Sequence, residues 1–212
     1  MGADIDSVLV RGPKLALRHA RRDDAAALFE LARDPDVTHF FSWGPYEDLS
    51  QPLAYIDSLD VQREAGTRLE LIIADAADRP IGVTGLSEFS QRDRRAVVGT
   101  WLGKSYWGTG ANAESKALLL ALAFRRLGLQ RATAFANPVN RRSLAALERL
   151  GFENEGVLRD WHIHNGVAQD CAVLRLTAAE FDRSALAGVP VTFEADPPSQ
   201  FVLTPVSYSQ RK

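Results

Sequence analysis

Cysteine is almost absent from this chain of 212 residues: Cys171 stands alone, so no intrachain disulfide can form. No charged leader with an apolar core opens the sequence, and together with the lone thiol this sets the expectation of a reducing, cytoplasmic environment. Long apolar runs are missing as well. The longest, from Lys116 to Phe124, falls far short of the roughly 20 residues that a membrane-spanning helix needs, so neither insertion nor anchoring is expected. No charge of one sign dominates: 25 Lys and Arg against 27 Asp and Glu leave a net charge of -2, which offers no footprint for a nucleic-acid backbone. Repeats and low-complexity tracts are also lacking. What is present is ordinary globular composition, 46% apolar and 25% charged, at a length suited to one domain.

Local patterns punctuate that domain. Leu15 to Arg18 reads as a strand, and Asp23 or Asp24 supplies an N-cap for a helix that ends before Pro35. A second helix covers Leu49 to Glu64. Between them lies Phe40-Phe41-Ser42-Trp43-Gly44-Pro45-Tyr46, an aromatic loop that serves either as core packing or as a substrate-facing wall. Strands at Arg68–Ala74, Pro80–Phe89 and Arg95–Leu102, joined by short polar turns, make an antiparallel meander. The period then changes to helical over Ala111–Leu127, stopped by Gly128. A strand at Arg131–Ala136 leads to a helix capped by Asn140 and ended by Gly151. Asn165-Gly166 marks a hairpin within Val157–Leu176. These elements bound a domain at 14–185, with an arm at 1–13 and a tail at 186–212 whose pieces Val189–Phe193 and Phe201–Thr204 are candidate edge strands, for pairing across a homodimer among other uses.

Between the strand ending at Leu102 and the helix starting at Ala111 sits Gly103-Lys104-Ser105-Tyr106-Trp107-Gly108-Thr109-Gly110-Ala111-Asn112. Glycines let the backbone turn sharply against a ligand, and the free N–H groups and dipole of the helix attract an anion, which makes this a pyrophosphate seat. Gly-x-Gly before a helix is also a plain turn, so the surroundings decide. Gly108-x-Gly110-x-x-Ala113 satisfies a permissive dinucleotide fingerprint, with Arg141 and Arg142 suited to a 2′-phosphate. That fold requires several parallel units, and only one is evident.

The run Thr100-Trp-Leu-Gly-Lys-Ser-Tyr-Trp-Gly-Thr-Gly110, the long helix after it, Asn140-Arg-Arg-Ser143, Leu150-Gly-Phe152 and Glu155-Gly-Val-Leu-Arg159 together resemble the GNAT N-acetyltransferases, most of all their RimJ and RimL branch. The resemblance spans about Leu15 to Leu176 with the motifs in order. It implies an α+β (mixed α/β) fold: a central, mostly antiparallel twisted sheet with a splayed strand pair and flanking helices. It also implies acetyl-CoA as co-substrate, with Trp101 and Leu102 contacting the pantetheine arm through backbone groups. Gly108, Thr109, Gly110, Ala111 and Asn112 would cradle the pyrophosphate, while Asn140 and Ser143 help hold the cofactor and the Ser143 hydroxyl bonds the departing sulfur. Two positions depart from the pattern: Ser105 replaces the frequent Gln or Arg, and Val97 stands where a Glu base is common.

Acetyl transfer to an amine needs a neutral nitrogen, an oriented thioester, stabilisation of the oxyanion and a proton for the thiolate. With Val97 in place, the candidate bases are Glu88 and His162, ahead of Glu70 and His164. A two-residue Asn-Gly turn puts Asp160, His162, His164, Gln169 and Cys171 on one hairpin face and Trp161, Ile163 and Asp170 on the other. No further His or Cys cluster completes a metal site there, so no metal is assigned. The acceptor is expected to be a primary amine, either a protein or peptide N-terminus or a small molecule. A non-catalytic acyl-CoA-binding sensor is the alternative that Val97 motivates, and an NADP-dependent oxidoreductase a more distant one.

Overall fold

The computed structural model describes residues 8–164 and 166–203. It begins with β1 (Val8–Arg11) and β2 (Ala16–Arg18), then α1 (Ala25–Ala32), a single turn α2 (Pro35–Thr38) and α3 (Ser50–Glu64). The meander follows as β3 (Arg68–Ala74), β4 (Pro80–Ser90) and β5 (Arg95–Leu102). Next come α4 (Ala111–Ala121), β6 (Arg131–Ala136), α5 (Arg141–Arg149), the long pair β7 (Glu153–His164) and β8 (Val167–Thr177), then α6 (Ala178–Arg183) and β9 (Thr192–Phe193). The strands form one sheet of nine in the order β7-β8-β6-β5-β4-β3-β2-β1-β9. Among the described strands only β5 and β6 pair in parallel, which leaves no place for the repeated parallel units of a dinucleotide fold.

Helices cover both faces of the sheet. α4 packs on one face, and every residue from Ser115 to Ala121 is buried there. Val98, Leu102, Leu118 and Leu122 belong to that core. α1 and α3 cover the other face, where Leu28 and Ile56 pack with Ile72 and Val83 and partly cover Trp101. The helix expected to run through Leu127 changes winding: after Ala121 a π turn spans Leu122–Arg126, and Gly128, at φ 78°, reverses the chain.

Three local expectations change. Asp24 stands at the N-cap of α1, but its carboxylate makes no capping bond; it receives both terminal nitrogens of the buried Arg18 at 2.8 Å and the Arg21 N–H. The final hairpin starts at Glu153 and carries a bulge between Leu158 and His162, where Asp160 adopts φ 48°. That bulge breaks the simple alternation of faces. Asn165 of the expected turn lies outside the described residues. The pieces beyond 185 join the sheet and core of their own chain: of 189–193 only Thr192–Phe193 is a strand, paired with Val10 and Arg11, while Phe201 sits in a turn of 3-10 helix at 1% exposure. Thr204 lies outside the described residues. No described helix is long and apolar enough to cross a membrane.

Candidate active site

The parallel pairing of β5 with β6 ends at Val98 and Ala134, whereas β5 stays paired with β4 as far as Leu102 and β6 with β8 as far as Ala136. From Gly99 to Leu102 one backbone edge of β5 therefore faces no strand. Pro138 follows shortly after β6 and cannot donate to a ladder, while the Asn137 side chain turns back to accept the Val139 N–H at 3.0 Å. On the β4 side the contact is very close: a Cβ at Gly82 would lie 2.2 Å from the Trp101 carbonyl oxygen, so only glycine lets β5 sit where it does.

A cavity of about 740 Å³ occupies this opening. Its lining comes from both faces of the sheet, with Val37, Phe40 and Phe41 from the α1 side and Ala113, Lys116 and Ala146 from the α4 side. The cavity thus passes through the sheet between the splayed strands. On the α4 side the turn before the helix supplies a cradle. Gly108 (φ 75°) and Gly110 (φ 92°) take conformations that side chains resist, and a Cβ at either would meet nothing within 4 Å. Glu114 is the residue whose N–H first returns to Gly110, at 3.1 Å, leaving the Asn112 and Ala113 amides at the helix start without intrahelical acceptors. Thr109 holds the turn by donating its hydroxyl to the Tyr106 carbonyl at 2.8 Å. Trp107 is fixed by donating its indole N–H to the Leu102 carbonyl at 2.9 Å, with the Arg142 guanidinium 3.4 Å from its ring centroid.

The other mouth is aromatic. Trp43 packs with Phe41 at 5.3 Å, Tyr46 at 5.5 Å and Trp101 at 5.6 Å between centroids, and Phe135 meets Trp161 at 6.0 Å. Burial pushes the Tyr46 phenol up to about 12, so it stays protonated at neutral pH.

Of the sequence candidates, Trp101, Leu102, Gly108, Gly110, Asn112, Asn140, Ser143 and His162 all line the cavity. Val97 lines it too, so the usual carboxylate position carries an isopropyl group. The Asn140 side chain accepts the Ser143 N–H at 3.1 Å, which caps α5 and fixes Ser143 toward the cavity. Thr109 and Ala111 face a separate hollow of about 490 Å³ shared with Lys14, Arg79 and Tyr106. Glu88 is misplaced by the sequence reading: it is exposed, at φ 50° in the bulge where β4 and β5 lose register, and does not line the cavity. Glu70 receives the Tyr55 hydroxyl on the α3 side, and His164 lies one step beyond the lining.

Cys171, which the sequence sets on the His162 face of the hairpin, also lines the cavity, and burial pushes its thiol up; sequence reasoning gave no site role to Trp161, placed against Phe135 beside the bulge, or above all to Lys116. Lys116 was legible only as a lysine at the start of the longest apolar run, inside a largely apolar helix. Among the described residues no group of three metal-binding side chains occurs.

The chain matches the family model of the acetyltransferase (GNAT) domain over residues 14–153. The uncharacterized N-acetyltransferase p20 of Bacillus licheniformis is 32% identical over 169 residues, covering 79% of this chain and 95% of p20. A GCN5-related N-acetyltransferase from Brucella melitensis aligns with TM-score 0.75 at 19% identity, covering 86% of this chain and 82% of that one. Microcin C7 self immunity acetyltransferase MccE, solved in complex with acetyl-CoA and AMP, gives TM-score 0.71 at 22% identity over 78% of this chain and 93% of its own. At these identities the two structures speak for the fold alone.

Proposed function

The chain belongs to the GNAT acetyltransferase family, with acetyl-CoA as co-substrate, and on that footing we propose that it acetylates a single primary amine, at a peptide N-terminus or on a small molecule, inside the splayed cavity. The observation that carries this reading is the two-sided cavity: an anion cradle on the α4 side and an aromatic mouth on the other, joined where β5 leaves β6. A donor held by its phosphates at Gly108, Gly110 and Asn112 presents its thioester along Gly99–Leu102, and the acceptor enters past Phe41 and Trp101. Unpaired N–H groups of β5 are suited to the oxyanion.

The lining of the mouth narrows the acceptor. No carboxylate occurs among the described residues that line the cavity, so the additional ammonium groups of a polyamine find no counter-charge. An α-amine with pKa near 8 is neutral for roughly a tenth of the time at pH 7, against less than about a thousandth for a free lysine. A site with Val97 where a carboxylate base is common favours the former. His162, half-buried on β7 at the cavity wall, is the base this reading assigns.

Calorimetry with acetyl-CoA, CoA and NADP on the native chain and on Gly110→Trp tests the donor site. Binding of acetyl-CoA by the native chain and its loss in the variant, with the melting curve as a control for folding, are the expected outcome. Preference for NADP, or no binding of CoA, overturns the reading. Thiol release with N-terminal peptides, arylalkyl monoamines and spermidine then tests the acceptor; binding without turnover on every amine marks an acyl-CoA sensor instead.

A further inference from the structure

Lys116 lies in the middle of α4, 4% exposed, between Ser115 and Ala117, which are fully buried. A lysine in such a place commonly extends its head to solvent, but this one points inward. Its Nζ donates to the Thr100 hydroxyl, which stands 2.6 Å from the Thr84 hydroxyl, itself a donor to the Gly99 carbonyl at 3.0 Å. Thr100 is two residues past the last β5–β6 pair. The amine is therefore delivered to the opening of the sheet, on the face that also carries the anion cradle.

Buried charges are ordinarily paired. Arg18, equally buried, has Asp24 and Asp78. Around Lys116 the titratable and charged groups that line the same cavity are Arg142 and Arg149 from α5, His162 from β7 and Cys171 from β8; β5 and β6 present Val98, Thr100 and Ala134. None of these is an anion at neutral pH. Burial alone pushes the Lys116 amine down to about 7. A cation held without a counter-ion at the wall of a cavity is complementary to an anion that is present only part of the time.

Acetyl transfer produces such an anion on this face. Asn112 and Lys116 are four residues apart, hence about 6 Å along one side of α4, so a donor seated on the cradle and running along β5 passes Thr100. The acceptor comes from the opposite face, and the sulfur departs toward α4. We propose that Lys116 is the general acid of the reaction, receiving the departing thiolate of CoA and giving it a proton.

In this step the amine nitrogen bonds to the acetyl carbon, the carbon–sulfur bond breaks with its electron pair going to sulfur, and the Lys116 ammonium protonates the sulfur. The proton shed by the new amide nitrogen passes to His162 or water, and Lys116 regains a proton from solvent after the thiol leaves. Ser143 can hydrogen-bond the thiolate but holds its own proton too tightly to give it up. A thiolate whose thiol has a pKa of about 8.5 accepts a proton from an ammonium of lower pKa without an uphill step.

The inference rests on acetyl-CoA being the donor, and the test separates the two. CoA bound to the full chain is titrated by the ultraviolet absorbance of its thiolate. The native protein is expected to raise the thiolate fraction of bound CoA about tenfold over free CoA near pH 7, a shift of about one pKa unit. Lys116→Met, apolar and close in volume, is expected to retain CoA binding and melting behaviour but return the thiol to its free value. Its kcat is expected to fall about 100-fold with the acceptor KM unchanged. Equal thiol titration curves, with CoA bound to both proteins, overturn the role of Lys116 alone; failure of the native protein to bind CoA overturns the donor reading and this inference with it.

Discussion

His19 and Lys116 meet the same physical problem as Arg18, and each solves it differently. Arg18 keeps its charge by receiving two carboxylates. His19, 2% exposed, gives up its charge: burial first and the nearby Arg63 guanidinium second push its imidazole down to about 4 from 6.5. The unfolded chain therefore takes up a proton near pH 6.5 that the folded chain refuses until about pH 4. Stability from this group is complete above pH 6.5 and is lost as the pH falls toward 4, at about 1.4 kcal/mol per unit and about 3 kcal/mol in all. Urea unfolding at about pH 7.5 and pH 5 checks the slope: the native chain is expected to lose about 2 kcal/mol between them, and His19→Gln to lose far less. A native chain with level stability over this range contradicts the assignment.

At the scale of elements, α5 joins folding to binding through one side chain. Asn140 accepts the Ser143 N–H, so it caps the helix and sets the wall of the cavity at once. Asn140→Ala is expected to cost about 1 kcal/mol of stability and to weaken acetyl-CoA binding, whereas Asn140→Ser keeps a capping oxygen and restores stability. Denaturant midpoints beside calorimetry separate the two effects; affinity recovered in full by the serine variant means that the cap, and not a contact from Asn140, is what the donor requires. Elements such as α5 were readable in the sequence because their signals are local: a cap, a 3.6-residue period, a closing glycine. The meander β3–β5 and the cradle before α4 were readable for the same reason. β1, of four residues, has no period to read, and β9 is readable only as the longer edge strand Val189–Phe193; the extent of each depends on the other's edge. The bulges that turn Glu88 away from the cavity and place Trp161 on its wall are settled by partner strands. Lys116 was hidden because the direction of a lone lysine on an apolar helix is a tertiary fact.

For the whole molecule, the same limit concerns where the domain ends. A boundary at 185 follows from the rise of proline and small residues after Leu186, yet the segment beyond it closes the core. Phe201 packs on Phe89 at 4.7 Å between centroids, Gln200 donates to the Arg63 carbonyl at 2.6 Å, and Leu203 N–H reaches the Leu127 carbonyl at 2.9 Å. That last bond anchors the tail on the exit of the π turn, at the end of α4 opposite the anion cradle. We propose on these contacts that residues 186–203 belong to the folding unit, so removing them is a test of folding before it is a test of any dimer. Phe201→Ala is the finer probe. It leaves a cavity beneath β4 far from the active site, and is expected to destabilise the chain by about 3–5 kcal/mol with the denaturant slope unchanged and acetyl-CoA affinity preserved below the transition. A loss under about 1 kcal/mol, typical of surface positions, means that the tail rests on the domain without completing it. A steep loss places the C-terminal boundary of the folding unit no earlier than Phe201, and makes solution mass of the intact chain the proper measure of whether β9 leaves an edge for a second copy.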